Sequence, residues 1–219
     1  MIGDGVNDAQ ALKKANIGVS VGNATDVAKE TASLILLDSD FKTLVSTVEE
    51  GRIIFDNIKK VVAYVLSNSF AAIFTIFGAI LLGWPAPLTV AQILWIHLIC
   101  DGPSDIVLGF ERGERGVMEE KPKSLKESIL DSWGKILILA ISLISAASSL
   151  FLFWHFWQIS GDVTEGRSIV FTVLAIQELI YIFSYRNLRR SIFKSGNFFS
   201  NKPLFGTVAL GFTQQLLVL

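Results

Sequence analysis

Cysteine is almost missing: Cys100 is the only one in 219 residues, which excludes an internal disulfide and a cysteine metal cluster. Charge is sparse as well. Asp, Glu, Lys and Arg make up 18% of the chain, against about a quarter in soluble domains. The formal net charge of -1 gives no electrostatic argument for a nucleic-acid partner. No cleavable signal peptide is visible, because the first residues read as part of a folded α/β motif. Apolar residues fill the space: 51% of the chain is hydrophobic and the mean hydropathy is +0.52.

That apolar content is unevenly placed. From Val61 onward, long apolar runs alternate with short polar connectors, the pattern of a multi-span membrane protein. Val61 to Leu82 carries no charge, and Gly83-Trp-Pro-Ala-Pro87 reads as a tight turn. The expected spans are about 61–82, 88–108, 136–157, 168–185 and 203–219, the last cut short by the end of the chain. The return loops 83–87 and 158–167 hold only Arg167 between them. The other connectors hold Arg112, Arg115, Lys121, Lys123 and Lys126, then Arg186, Arg189, Arg190, Lys194 and Lys202. An excess of Lys and Arg marks the cytoplasmic face, so these basic loops and the N-terminal segment are expected to be cytoplasmic.

Residues 1 to about 45 read differently. Short apolar runs, Met1-Ile2, Ile17 to Val21 and Leu34 to Leu37, alternate with helix-like segments from Asp8 to Ala15 and from Asn23 to Ser33. This is α/β patterning. So few strands cannot bury a core alone, so the segment is expected to pack on sequence outside this chain. Residues 46–60, rich in charge, read as a helix leading into the first span: a mechanical stalk, or simply a solvated helix.

Within the α/β segment, Gly3-Asp-Gly-Val-Asn-Asp8 follows a strand and opens a helix. Gly3 and Gly5 permit backbone angles and close approach that side chains forbid. Asp4 and Asp8 are hard oxygen ligands of the kind magnesium takes alongside phosphate oxygens. Asn7 can donate to a phosphoryl group without adding negative charge. A glycine turn with two helix-capping aspartates would look similar over three residues. The spacing is not the GxGxxG of a dinucleotide site.

Inside the apolar runs, charged residues are costly and therefore functional suspects. His97, Asp101 and Asp105 lie at i, i+4 and i+8, which predicts one helical face. Gly102-Pro103 predicts an interruption just after Asp101, and a broken helix exposes carbonyls that suit a cation. Glu178 in the fourth span follows the same logic. Ser67 and Asn68 in the first span read as polar glue between helices.

The string GDGVNDAQALKKANIGVSVG resembles the hinge motif of P-type cation-transporting ATPases, a version of the acidic magnesium motif of haloacid-dehalogenase-type phosphotransferases. The resemblance continues through Val27-Ala-Lys-Glu-Thr-Ala32, Glu49-Glu-Gly-Arg52, the first span and Asp101-Gly102. It implies a fold: a multi-span α-helical membrane bundle preceded by the end of an α/β, Rossmann-like domain. It also implies an activity, ATP-driven cation translocation with magnesium as cofactor, Asp4 as magnesium ligand, and Asn7 and Asp8 ordering the phosphate site. Gln10 stands where the family usually has proline. No DKTGT or TGES motif occurs here, so catalysis would need the missing N-terminal pump domains.

For the transported cation, the resemblance to calcium pumps implies Asp101 and Glu178 as ligands. His97 stands where those pumps carry asparagine, Cys100 where they carry threonine, and Ser69 where they carry asparagine. Ala72 replaces a glutamate ligand. Calcium wants six to eight oxygens, so one site near Asp101 and His97 is expected instead of two, for calcium or another divalent ion. Imidazole would also suit a softer metal or a proton path. The alternatives are a proton or monovalent-cation pump, a membrane-anchored phosphatase, and a non-catalytic membrane module. The lipid bilayer is a partner in every case.

Overall fold

A computed structural model describes residues 1–38, 40–113, 116–122, 128–187 and 201–218. They divide into two compact units, Met1–Arg52 and Ile53–Leu219.

The first unit is a parallel three-stranded sheet in the order β1 (Ile2–Gly3), β2 (Val19–Val21), β3 (Leu34–Leu36). Ile2 pairs with Val19 and Val19 with Leu34. The crossovers are α1 (Ala9–Lys14) and α2 (Asp26–Thr31). Leu12, Ala24 and Ala28 form its small core, with Val21 against it. Leu37, at 94% exposure, and Val6 and Ile17 are left uncovered. The α/β reading of this segment holds, and the acidic loop leaves the carboxyl end of β1, the end at which such sheets present ligand groups.

Helix α3 (Phe41–Leu81) is continuous through residue 60, where the sequence turns from charged to apolar. It ends before Gly83, whose φ of +68° reverses the chain in a conformation that side chains disfavour. Thr89 and Gln92 form a reciprocal cap for α4 (Val90–Trp95). A π-helical turn, Ile96–Asp101, then leads into α5 (Gly102–Leu108). Asp131 caps α6 (Ser132–Ser160) through Gly134 N–H at 2.7 Å. Gly161, at φ +70°, closes α6, and Asp162 caps α7 (Val163–Tyr185). Helix α8 covers Lys202–Val218.

Three of these helices are long and apolar enough to cross a membrane: residues Lys42–Leu81, Ser132–Ser160 and Val163–Tyr185. Their outward faces agree with that, since Phe70, Ile73, Phe77 and Ile80 on α3 and Leu139, Leu143 and Phe151 on α6 are exposed. The inward stripe of α3 is polar and small: Asn57, Lys60, Tyr64, Ser67, Asn68, Ala71, Thr75 and Ala79 are buried. Small residues let helices approach when lipid offers no hydrophobic drive for their association. Gly78 shows the tolerance, since a Cβ there would come within 2.5 Å of Leu150 on α6.

The helical unit has two apolar cores. One gathers Ala63, Tyr64, Leu108, Leu179, Ile182, Tyr185 and Leu204. The other gathers Ala71, Ile96, Cys100, Phe153, Phe171 and Leu174. Asp101 directly follows Cys100 and Glu178 directly precedes Leu179, so each carboxylate has a core residue as one chain neighbour.

Candidate functional site

In the acidic loop, Asp8 folds back on its own turn. Its Oδ2 accepts from Asp4 N–H at 3.0 Å and Gly5 N–H at 3.1 Å, while Asp8 N–H donates to Gly5 carbonyl at 3.1 Å. Gly3 is buried against this arrangement, and a Cβ there would meet the Asp8 side chain at 2.5 Å. Thr25 N–H donates to the Asp4 carbonyl at 2.8 Å, tying the loop to the start of α2. The Asp4 and Asn7 side chains are exposed, and among the described residues the Asp4 carboxylate takes no hydrogen bond. The two carboxylates therefore differ. Asp8 has one oxygen committed to backbone amides, and Asp4 is open to a ligand.

In the helical unit, the structure brings His97, Asp101 and Glu178 together, with ligand atoms all within 4.8 Å of one another. Asp101 is 3% exposed and Glu178 3% exposed. His97 Nδ1 lies 3.7 Å from Asp101 Oδ2. Tyr64 donates its hydroxyl to Asp101 Oδ1 at 3.0 Å and also approaches the Glu178 carbonyl at 3.1 Å. Asn68 Nδ2 donates to Asp101 Oδ2 at 3.0 Å. Glu178 Oε2 is buried with no hydrogen-bond partner among the described residues. A buried carboxylate oxygen without a donor is costly, and a cation would satisfy it.

The winding of the chain explains this meeting. The interruption expected after Asp101 lies before it, as the π turn Ile96–Asp101, and Gly102 and Pro103 restart a regular helix. The segment stays helical through Pro103. The proline's missing N–H leaves a carbonyl one turn back without that donor, and the wider π turn takes up the change. Such turns recur at functional sites.

Asp105 does not join the three. It is half-buried, and its Oδ1 is buried without a partner among the described residues. Ser69 is half-buried and takes no part in the hydrogen bonds around Asp101. Its neighbour Asn68 does, and so does Tyr64, which sequence reasoning passed over. The available signal was Tyr64 and Asn68 at i, i+4 inside an apolar run, a polar pair on one face. Cys100 turns elsewhere, toward Gln215 Oε1 of α8 at 3.8 Å.

A second buried polar cluster lies where α5, α7 and α8 meet α3. Arg186 grips Glu111 with two donors, Nη2 to Oε1 at 2.8 Å and Nε to Oε2 at 2.9 Å. Asn201 Nδ2 adds a third at 2.9 Å, and Asn57 Nδ2 donates to the Glu111 carbonyl at 2.6 Å. Lys60, 2% exposed, reaches Asn57 Oδ1 at 3.3 Å. Burial by itself pushes the Glu111 carboxyl up, but the bonds from Arg186 and Asn201 and the positive charges of Arg186 and Lys60 hold it below the ordinary 4.5. Arg186, counted above with the connector charges, is thus buried in an ion pair. Arg115, Lys123, Lys126, Arg189, Arg190 and Lys194 lie outside the described residues.

Comparison with known proteins agrees with both halves. Residues 85–219 match the family described as cation transporting ATPase, C-terminus, and residues 1–46 match haloacid dehalogenase-like hydrolase. The calcium-transporting ATPase type 2C member 1 of Homo sapiens is 40% identical over 220 residues, covering 100% of this chain and 24% of that protein. Calcium-transporting ATPase 1 of Lactococcus lactis is 40% identical over 206 residues, covering 92% and 23%. The calcium-transporting ATPase of Bacillus subtilis is 38% identical over 221 residues, covering 100% and 25%. The chain spans about a quarter of the length of these relatives. With a family match across more than half of its residues, the chain belongs to the P-type cation-transporting ATPases, whose C-terminal region it represents.

Proposed function

We propose that this chain forms the membrane cation site and the end of the phosphorylation domain of an ATP-driven divalent-cation pump. The observation that carries the reading is the meeting of the buried Asp101 and Glu178 with the half-buried His97, with Glu178 Oε2 lacking a donor among the described residues. Two carboxylates in an apolar bundle are expensive unless a cation or proton neutralises them. Calcium is the ion named for the relatives, and the ion here is calcium or another divalent cation. One site is proposed, because Ala72 offers no side-chain ligand and Ser69 stands outside the cluster.

In the first unit, Asp4 would hold magnesium, and Asp8 and Asn7 would order the loop and the phosphate. The fit rests on the Asp4 carboxylate being exposed while an Asp8 oxygen is committed to the Asp4 and Gly5 amides. Magnesium, when bound, would neutralise phosphoryl oxygens during transfer from ATP. The phosphorylated aspartate and nucleotide site would come from the remainder of the pump. The basic connectors and the α/β unit would face the cytoplasm.

The test is cation-stimulated phosphoenzyme formation by the full-length pump. Asp4→Asn should abolish turnover, and Asp101→Asn should abolish cation dependence. Unchanged cation-stimulated activity in both variants would sink the reading. Activity lost in Asp4→Asn alone, with Asp101→Asn normal, would favour a membrane-anchored phosphatase.

A further inference from the structure

We propose that His97 is a direct nitrogen ligand in the cation site and tunes it to a borderline divalent metal of the zinc type in preference to calcium. This rests on the reading that the Asp101–Glu178 cluster is the transport site. The first argument is donor chemistry. The three converging side chains supply one imidazole and two carboxylates. Zinc is held by such sets, three protein ligands with one open position. Calcium takes six to eight oxygens and has no use for nitrogen.

The second argument is the state of each donor. Asp101 is oriented by two hydrogen bonds, Tyr64 on Oδ1 and Asn68 on Oδ2. A carboxylate held this way is suited to one metal bond, less to the bidentate grip that raises calcium's oxygen count. Glu178 Oε2, in a side chain 3% exposed, has no partner among the described residues and needs one. The His97 side chain is 35% exposed, so its ring is not enclosed by the described helices as the two carboxylates are.

The third argument is geometry. His97 Nδ1 and Asp101 Oδ2 are 3.7 Å apart. Two ligands at about 2 Å from a shared tetrahedral metal lie roughly 3.3 Å apart, so a shift of a few tenths of an ångström would seat both. Both residues lie within the π turn Ile96–Asp101, four positions apart on the same segment.

Nitrogen ligation has a direct signature. Full-length pump in detergent would be titrated with cobalt(II) as a spectroscopic stand-in, then with radioactive zinc and radioactive calcium under equilibrium conditions. Wild type, His97→Asn, His97→Gln and Asp101→Asn would be compared. The proposal expects zinc to bind more tightly than calcium in wild type and cobalt to give intense visible bands of a low-coordinate site. Both histidine variants should lose those bands. They should also weaken zinc by at least about 100-fold, the upper end of what losing even an outer-sphere partner costs, while calcium binding is kept or improved.

Calcium tighter than zinc in wild type, with zinc binding indifferent to both His97 variants, would overturn the proposal and leave the transport site standing. Binding of both metals unchanged by Asp101→Asn would overturn the transport-site reading itself. Retained calcium binding in either histidine variant certifies that the variant is folded.

Discussion

At the scale of single residues, the proposed cation site is held by groups that would not touch the cation. Tyr64 and Asn68 fix both oxygens of Asp101 at 3.0 Å each. Partners in that position cost roughly 10- to 100-fold in metal affinity when removed. Tyr64→Phe keeps the ring that packs edge-on against Tyr185 at 5.5 Å and removes only the hydroxyl. It is expected to raise the cation concentration for half-maximal phosphoenzyme formation about 10-fold, with the maximal level little changed. Asn68→Ala should act in the same direction. An equal fall in maximal phosphoenzyme without a shift in cation dependence would assign Tyr64 to packing alone. In the acidic loop, Asp8→Ala leaves the Asp4 and Gly5 amides without their acceptor, a cost of about 1–3 kcal/mol if they become buried and unpaired. Because Gly5 is half-buried and Asp4 is exposed, the lower end is expected, and it is read as lost order in the loop and weaker phosphorylation.

At the scale of elements, the π turn is the feature on which the site depends. Pro103→Ala restores a backbone N–H and allows the segment to wind as a regular α-helix. That winding would keep His97 and Asp101 on one face but turn the pair relative to Glu178 on α7 and Tyr64 on α3, and cation affinity should fall although neither ligand is altered. The measurement is cation binding to the variant beside the wild type, and unchanged affinity would show that the π turn holds without the proline.

Much of this scale was legible beforehand. The alternation of short apolar runs with helical segments announced the parallel α/β unit. Charges isolated in apolar runs announced Asp101, Glu178 and His97, since a lone charge in lipid has few purposes. Other features were illegible for physical reasons. A π turn adds no residue type of its own, so Gly102-Pro103 signalled a disturbance without saying on which side of Asp101 it falls. Asn68 and Ser69 are adjacent, and the helix phase that puts Asn68 against Asp101 is fixed by packing of α3 on its neighbours. The Glu111–Arg186 pair joins positions 75 residues apart, and each charge taken alone reads as an ordinary connector residue.

At the scale of the helical unit, that pair is a buried ionic tie between elements distant in sequence. It links the end of α5 to the end of α7, and Asn201 carries it to the start of α8, where its Oδ1 accepts from Leu204 N–H at 3.1 Å. A buried ion pair contributes little over a well-packed apolar substitute, yet breaking one partner costs about 3–5 kcal/mol because a charge is left buried and unpaired. Glu111→Gln should therefore destabilise the detergent-solubilised protein by about that amount. Replacing both partners, Glu111→Gln with Arg186→Leu, should recover much of the loss. The pH dependence has a definite sign. Glu111 is held below its ordinary 4.5 in the folded state, so its stabilisation is present in full above the unfolded value and is lost as pH falls through the depressed folded value. Thermal unfolding followed from neutral pH down through 4.5 should show an acid-side loss of stability in wild type that is reduced in Glu111→Gln. Superimposable acid limbs in the two proteins would mean that the four bonds around Glu111 orient the helix ends without stabilising them.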